Sequence, residues 1–329
     1  MTEPPVPRRV FVTGALGFIG RHLADRYRAV GAEICGVDLS ADPARGVVAG
    51  DISRPGSWQA AAAGADLFVH TAALVSNTGT LEASWRLNVM GTRLALDAAA
   101  AAGTERFVHF SSIRAFSDRD YPDGVDEHHP VRTDGRSYVD TKVASEQVAL
   151  QAHAAGEVAC TIVRPGDAYG PGSRPWTIIP VELIRARQFL LPAMGQGLLS
   201  PVYVDNLLDG VVRAAGLNEA AGQVFVLTDG AGVSTREFFG HYYRMLGKGR
   251  PPVMPTAIAS MLAAAAGAAA RVRGQATEVS PDTMRYLART GTYSIAKARK
   301  VLGYEPQVDL AEGMRRTETW LRARGLLDP

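Results

Sequence analysis

Apolar and polar positions change period in a regular way along the first half of the chain. Short apolar runs fall at residues 9–12, 33–38, 47–52, 66–71, 106–112 and 158–164, and helical patterns separate them at 21–30, 55–63, 81–102 and 138–155. The runs are too short for helices and too continuously apolar for half-exposed strands. They predict strands buried on both faces, hence a parallel sheet with helices on each side. Right-handed crossovers then give a doubly wound α/β arrangement.

The second half is less regular. Strands are expected at 202–204 and 224–227, and helices at 177–187, 206–215, 235–246 (capped by Ser234), 257–272, 294–302 and 310–324. Residues 117–135 and 165–175 are rich in Pro, Gly and charge, and read as shaped loops. The segment 257–272 is Ala-rich and shorter than the ~20 residues that a spanning helix needs. It is expected to pack or lie at an interface, with no integral membrane span.

Composition narrows the class only a little. With 329 residues, 47% hydrophobic and 21% charged, the chain is ordinary globular material. A formal net charge of +2 gives no electrostatic footprint for nucleic acid. Cys35 and Cys160 both fall in predicted strands, which makes no disulfide framework and implies a reducing, cytoplasmic setting. Residues 2–8 hold no apolar h-region, so no signal peptide is expected. His22, His153 and His241 are scattered over predicted helices, and His128-His129 falls in a loop. None has metal-ligand spacing, so no metal is expected.

The candidate chemistry gathers at the ends of predicted strands. Gly14-x-x-Gly17-x-x-Gly20 joins the first strand to the first helix. Glycines there let a backbone approach a pyrophosphate, and the helix N-terminus attracts its charge. The stretch also contains Phe18 and Ile19. Asp38 ends the second strand eighteen residues after Gly20. A carboxylate at that place accepts bonds from ribose hydroxyls and repels a 2′-phosphate, which favours NAD over NADP. Arg45 is near enough in sequence to reach the same region.

Tyr138 and Lys142 stand at i and i+4 of a predicted helix, on one face. A phenol is a poor base near neutrality, and a neighbouring ammonium favours its ionised form. Ser111-Ser112 closes a predicted strand, at the edge where open α/β sheets bind ligands.

In order along the chain stand the glycine motif, Asp38, Asp51-Ile52, His70-Thr71-Ala72-Ala73, Asn88-x-x-Gly91-Thr92, Ser111-Ser112, Tyr138-x-x-x-Lys142 and Arg164-Pro165-x-x-x-Tyr169-Gly170-Pro171-Gly172. This series resembles the extended short-chain dehydrogenases/reductases, the NAD-dependent epimerase/dehydratase superfamily, over about residues 8–325. The resemblance implies a Rossmann-type NAD-binding domain (1–168 with 202–228) and a smaller, mostly C-terminal α/β substrate-binding lobe (169–201 with 229–329).

It also implies roles. Tyr138 would be the general acid/base, and Lys142 would bind the nicotinamide ribose and lower the Tyr138 pKa. Ser112 would orient the substrate oxygen. Gly14, Gly17, Phe18, Ile19 and Gly20 would hold the cofactor, as would Asp38. Asp51 and Ile52 would flank the adenine, and Thr71, Ala72 and Ala73 would line the cofactor path. Asn88, Ser111, Pro165 and Tyr138 itself complete the cofactor-binding set, with Asn88 supporting the architecture.

Dehydratases of this superfamily carry Thr-Asp-Glu where this chain has Ser112-Ile113-Arg114, so that class is set aside. Nucleotide-sugar enzymes usually place an arginine before a Val-x-Asp, and here Leu198-Leu199-Ser200 precedes Pro201-Val202-Tyr203-Val204-Asp205. Arg174, Arg185 and Arg187 remain as substitutes. The wording Val202-Tyr203-Val204-Asp205-Asn206-Leu207 looks like the 3β-hydroxysteroid/sterol dehydrogenase branch. Trp176, Ile178, Ile179, Phe189, Leu190 and Leu191 would suit an apolar substrate, or simply a core.

The reading is therefore an NAD-dependent oxidoreductase that interconverts a secondary alcohol and a ketone. A nucleotide-sugar epimerase and a non-catalytic NAD-binding regulator are the alternatives. Many relatives dimerise through the helices at 81–102 and 138–155, where Ala95, Ala98 and Ala99 would permit close packing, so a homodimer is expected.

Overall fold

A computed structural model describes residues 5–118, 122–274, 277 and 279–327. Residues 1–4, which include part of the 2–8 stretch expected to hold no signal peptide, lie outside it, as do three residues of the predicted loop at 117–135. In chain order the first elements are β1 (Arg9–Thr13), α1 (Phe18–Ala29), β2 (Glu33–Asp38), β3 (Val47–Ala49), β4 (Leu67–His70), α2 (Leu81–Trp85) and α3 (Gly91–Ala101). Next come β5 (Arg106–Phe110), α4 (Ser137–Ala154), β6 (Ala159–Pro165), β7 (Asp167–Tyr169), α5 (Ile179–Arg185), β8 (Leu198–Leu199) and β9 (Pro201–Tyr203). The chain ends with α6 (Val204–Gly216), β10 (Val224–Leu227), β11 (Val233–Ser234), α7 (Thr235–Met245), α8 (Thr256–Val272), α9 (Pro281–Leu287) and α10 (Leu310–Ala323).

Seven strands form one sheet in the order β10-β6-β5-β4-β1-β2-β3, with every pairing parallel. Side chains alternate across a strand, so each central strand feeds two cores. Val10, Val12, Leu67, Val69, Val108 and Val163 enter the core that continues into the C-terminal elements. Phe11, Phe68, Phe107 and Cys160 enter the other, against Ala95, Ala98 and Ala99 of α3. The three rings run across adjacent strands with centroids 4.8 and 5.1 Å apart. Each fully buried ring contributes roughly 2–3 kcal/mol of apolar burial. The alanines expected to face a partner are thus spent inside the chain's own core.

Several boundaries differ from expectation. The helix predicted at 81–102 contains a π-helical turn, Arg86–Met90, between α2 and α3. One extra residue in a turn leaves the apolar pattern nearly unchanged, so periodicity does not report it. The third strand stops at Ala49, and 55–63 is a 3₁₀ stretch, Ser57–Ala62. The helix expected at 294–302 is mostly a π-helical turn, Ala298–Leu302. α9 was not anticipated, although Ser280 caps it, Pro281 opens it and Asp282 lies in its first turn. Ser234 caps α7 as expected, accepting a bond from the Glu237 N–H at 3.1 Å.

Both cysteines are free and buried. Among the described residues no helix is long and apolar enough to cross a membrane. α8 buries Ala259 and Ala263 but exposes Ile258, Met261 and Leu262.

Candidate active site

The C-terminal edge of the sheet carries the site. After β1 the chain turns through Gly14, whose φ of +67° is a left-handed value that a side chain resists. A Cβ on Gly14 would lie 3.0 Å from the backbone of Ala72. A Cβ on Gly20 would lie 2.2 Å from the Gly14 carbonyl oxygen. The glycines therefore let α1, the turn and the segment after β4 close on one another. Gly17 caps α1 without a side chain, and the first turn (Phe18, Ile19, Gly20) holds no acidic residue. That end of the helix is a cradle suited to a diphosphate.

Asp38 stands beside this turn at the end of β2. One carboxylate oxygen accepts the Leu16 N–H at 2.9 Å and the other accepts the Leu39 N–H at 2.7 Å. A carboxylate has further lone pairs, so it can still take ribose hydroxyls. Arg45 is held elsewhere, 2.7 Å from Asp25 of α1. Asp51 is exposed and accepts the Ser53 N–H at 2.9 Å, and its carboxyl is held below the usual range, first by the Ser53 side chain and then by this backbone contact and the nearby Arg54 and Arg86. Ile52 is buried beside Gly91. These residues fit an adenosine diphosphate moiety along the edge from β3 to β1.

The next strand ends fix the floor. His70 lies with Nδ1 2.8 Å from the Thr13 hydroxyl and Nε2 3.0 Å from that of Thr92. Burial lowers its pKa to about 3, so the imidazole is neutral. His109 stacks on it at 5.6 Å and is likewise kept neutral by burial. The Thr71 hydroxyl donates to the Thr13 carbonyl at 2.7 Å, and the Ala72 N–H donates to the Thr13 hydroxyl at 3.3 Å. Ala73 follows on the same segment.

Asn88 sits within the π-helical turn and is buried. Its oxygen accepts the Leu74 N–H at 2.7 Å, and its amide donates to the Thr141 hydroxyl at 3.0 Å. It thus ties the segment after β4 to α4, one residue before Lys142. Ser111 is also behind the site, where its hydroxyl donates to the buried Glu146 carboxylate. Pro165 is buried at the end of β6, opposite Leu227.

Ser112, Tyr138 and Lys142 converge where β5 meets α4. Ser112 opens a 3₁₀ turn, Ile113–Phe116, and its hydroxyl accepts the Arg114 N–H at 3.2 Å. Its side chain lies close enough to the Tyr138 phenol to favour the ionised form. Burial raises the phenol's pKa, opposed by the Arg114 guanidinium and by Ser112. Lys142 Nζ donates to the Phe110 carbonyl at 2.8 Å and lies 5.9 Å from the Tyr138 ring centre. Burial lowers the lysine's pKa to about 8, with Glu146 opposing. Glu146 in turn accepts Arg164 Nε at 2.8 Å and Nη2 at 2.7 Å, a bidentate buried pair.

Residues 10–227 match the model of the NAD dependent epimerase/dehydratase family. The chain belongs to that family. A 4-hydroxy-2-methyl-3-oxo-4-farnesyl-3,4-dihydroquinoline-1-oxide ketoreductase of Stigmatella aurantiaca is 30% identical, covering 93% of this chain and 94% of the relative. A 3-beta-hydroxysteroid dehydrogenase of Mycolicibacterium neoaurum is 29% identical over 93% of this chain and 89% of its own. Among solved structures, MoeE5 in complex with UDP-glucose and NAD superposes with a TM-score of 0.77 at 23% identity, covering 96% of this chain and 99% of that one. That likeness concerns the fold.

Four neighbours of the site escaped the sequence reading as contributors: Arg114, Asp118, Glu146 and Tyr286. Glu146 lies at i+4 from Lys142 and i+8 from Tyr138, so its helical spacing was a usable signal. Arg114 lies two residues after Ser112, in the position read only for a missing acid. Tyr286 lies on α9, whose Ser280-Pro281-Asp282 opening marks a helix start but says nothing of where its tyrosine would reach. Of the apolar residues expected around a substrate, Phe189 and Leu191 are buried in the core, and the Trp176 ring lies 6.1 Å from that of Tyr286.

Proposed function

We propose that this family member is an NAD-dependent oxidoreductase that interconverts a secondary alcohol and a ketone. The observation that carries the reading is the convergence of Ser112, Tyr138 and Lys142 at the end of β5, in the same sheet as the glycine cradle after β1. NAD, when bound, would supply the hydride acceptor for the oxidative direction. Ser112 hydrogen-bonds the substrate oxygen, and the ionised Tyr138 takes its proton. Lys142, on the same helix face, supports the phenolate and would hold the nicotinamide ribose. Asp38 and the first turn of α1 would hold the adenosine and diphosphate portions. With Arg45 committed to Asp25, the Asp38 carboxylate favours NAD over NADP.

An apolar carbonyl substrate is supported by the aromatic path from Trp176 to Tyr286. It is supported too by relatives named for a farnesylated ketone and a steroid. Arg174, Arg185 and Arg187 are exposed, and Arg185 donates to the Leu326 carbonyl, which argues against a built sugar-nucleotide diphosphate site. We also propose a homodimer through the α2–α4 face, where Leu81, Trp85 and Met90 are exposed.

The test is a panel of secondary alcohols, sterols and UDP- or GDP-sugars with NAD⁺ or NADP⁺, followed at the nicotinamide absorbance. Net NADH with an apolar alcohol is expected. Interconversion of sugar nucleotides with no net NADH would instead establish an epimerase.

A further inference from the structure

Arg114 reaches the site from the turn that Ser112 opens. Its Cζ lies 5.0 Å from the Tyr138 ring centre and 4.9 Å from that of Tyr286 on α9, so the guanidinium sits between the two rings. Its donors fix it there. Nε donates to Asp118 at 2.8 Å, Nη2 bonds the same carboxylate, and Nη1 donates to the Asn77 side-chain oxygen at 2.9 Å. Ser117, at a φ of 93°, turns the chain so that Asp118 faces back toward Arg114. The side chains of Arg114 and Asp118 are only 12% and 4% exposed, so water screens this charge weakly.

Lys142 is less well placed against the ring, at 5.9 Å, and its ammonium already donates to Phe110. The charged and titratable groups around the phenol are therefore Arg114 and Asp118 from the turn, Lys142 from α4 and Tyr286 from α9. Arg136, before α4, bonds Asp282 of α9 at 3.2 Å and holds that helix over the site.

We infer that Arg114 is a positioning residue for Tyr138, a second fixed cation that holds the phenol toward its ionised form and so sets the pH at which the site takes up a proton. It rests on the reading of Tyr138 as the proton-transfer group. A cation over an aromatic face and close to its oxygen favours the anion, and an opposite charge at this range moves a pKa by about one to three units. Asp118 cancels part of the effect, so the lower end applies. Lys142 approaches the phenol from its own helix, α4, and Arg114 from the turn that Ser112 opens.

The test uses the full chain with NAD⁺ bound and tyrosine isotopically enriched at Cζ. The Tyr138 resonance is assigned by its loss in Tyr138→Phe and then titrated. Arg114→Gln should raise its midpoint by about one pH unit. Arg114→Lys should recover most of that shift. Asp118→Asn removes the opposing charge and should lower the midpoint. An unmoved midpoint in Arg114→Gln with the other tyrosine signals in place overturns the inference. If Arg114→Gln does not fold, Asp118→Asn decides: a lowered midpoint supports the inference, and an unmoved or raised one overturns it. Full turnover in Tyr138→Phe would instead overturn the base assignment, so the two failures are told apart.

Discussion

Lys142 is a buried cation that the fold tolerates at a cost, and replacing it with methionine should stabilise the protein while removing activity. Burial lowers the lysine pKa from 10.5 to about 8. One pKa unit is 1.36 kcal/mol, so holding the ammonium inside costs about 3 kcal/mol below that value. Methionine matches the length of the stem but forfeits the bond to Phe110, at 2.8 Å, which contributes about 1 kcal/mol net. The variant should then be about 2 kcal/mol more stable near neutrality.

The sign follows from proton counting. Between about pH 8 and 10.5 the unfolded lysine is protonated and the folded one is not, so wild-type stability gains with rising pH and the variant lacks this gain. The advantage of Lys142→Met should shrink across that window and end about 1 kcal/mol negative above it, where only the lost hydrogen bond remains. The raised pKa values of the Cys160 thiol and of buried tyrosines such as Tyr27 act in both proteins and cancel in the difference. Urea unfolding of both proteins over this pH range measures it. A variant less stable than wild type near neutrality, or a difference that stays constant with pH, would refute the reasoning.

Three further outcomes follow from the geometry. Gly20→Ala places a Cβ 2.2 Å from the Gly14 carbonyl, forcing the cradle open, and calorimetry should show NAD affinity reduced about tenfold or more. Gly17→Ala, whose Cβ would meet only the Gly14 oxygen at 3.1 Å, should lose less. Asp38→Ser should weaken NAD binding about tenfold, the worth of a charge-assisted ribose contact. It should not create strong NADP binding, because Arg45 remains with Asp25, and a preference for NADP in that variant would contradict this. Trp85→Glu on the exposed α2 face should shift a dimer to monomer in light scattering, and an unchanged mass would remove that face as the interface.

The doubly wound sheet was legible because its central strands are buried on both faces, and Val10-Phe11-Val12 shows this in three letters. The cradle was legible because glycine is required at Gly14 and Gly20 for backbone reasons that no other residue meets. Tyr138 and Lys142 were legible as a pair from helical spacing. The site's electrostatics were not. Whether a hydroxyl such as that of Ser111 faces a ligand or a buried Glu146 depends on the partner strand and helix, which lie far away in sequence. Arg114 acquires its place from Asp118, Asn77 and Tyr286, and the last sits on a helix of seven residues. Periodicity cannot resolve so short an element, although its Ser-Pro-Asp opening was a signal. Asn88 was placed correctly in a helical region, but its π-helical turn leaves no trace in an apolar pattern.

The most direct test of the central claim, that Tyr138 carries the proton in a net alcohol–ketone oxidoreduction, is the turnover of Tyr138→Phe on the secondary alcohol that the panel identifies. General acid–base groups contribute about 10²–10⁴-fold, so NADH formation should fall by roughly a thousandfold while NAD affinity by calorimetry stays unchanged. Turnover near that of the wild-type protein, with NAD still bound, would contradict the account.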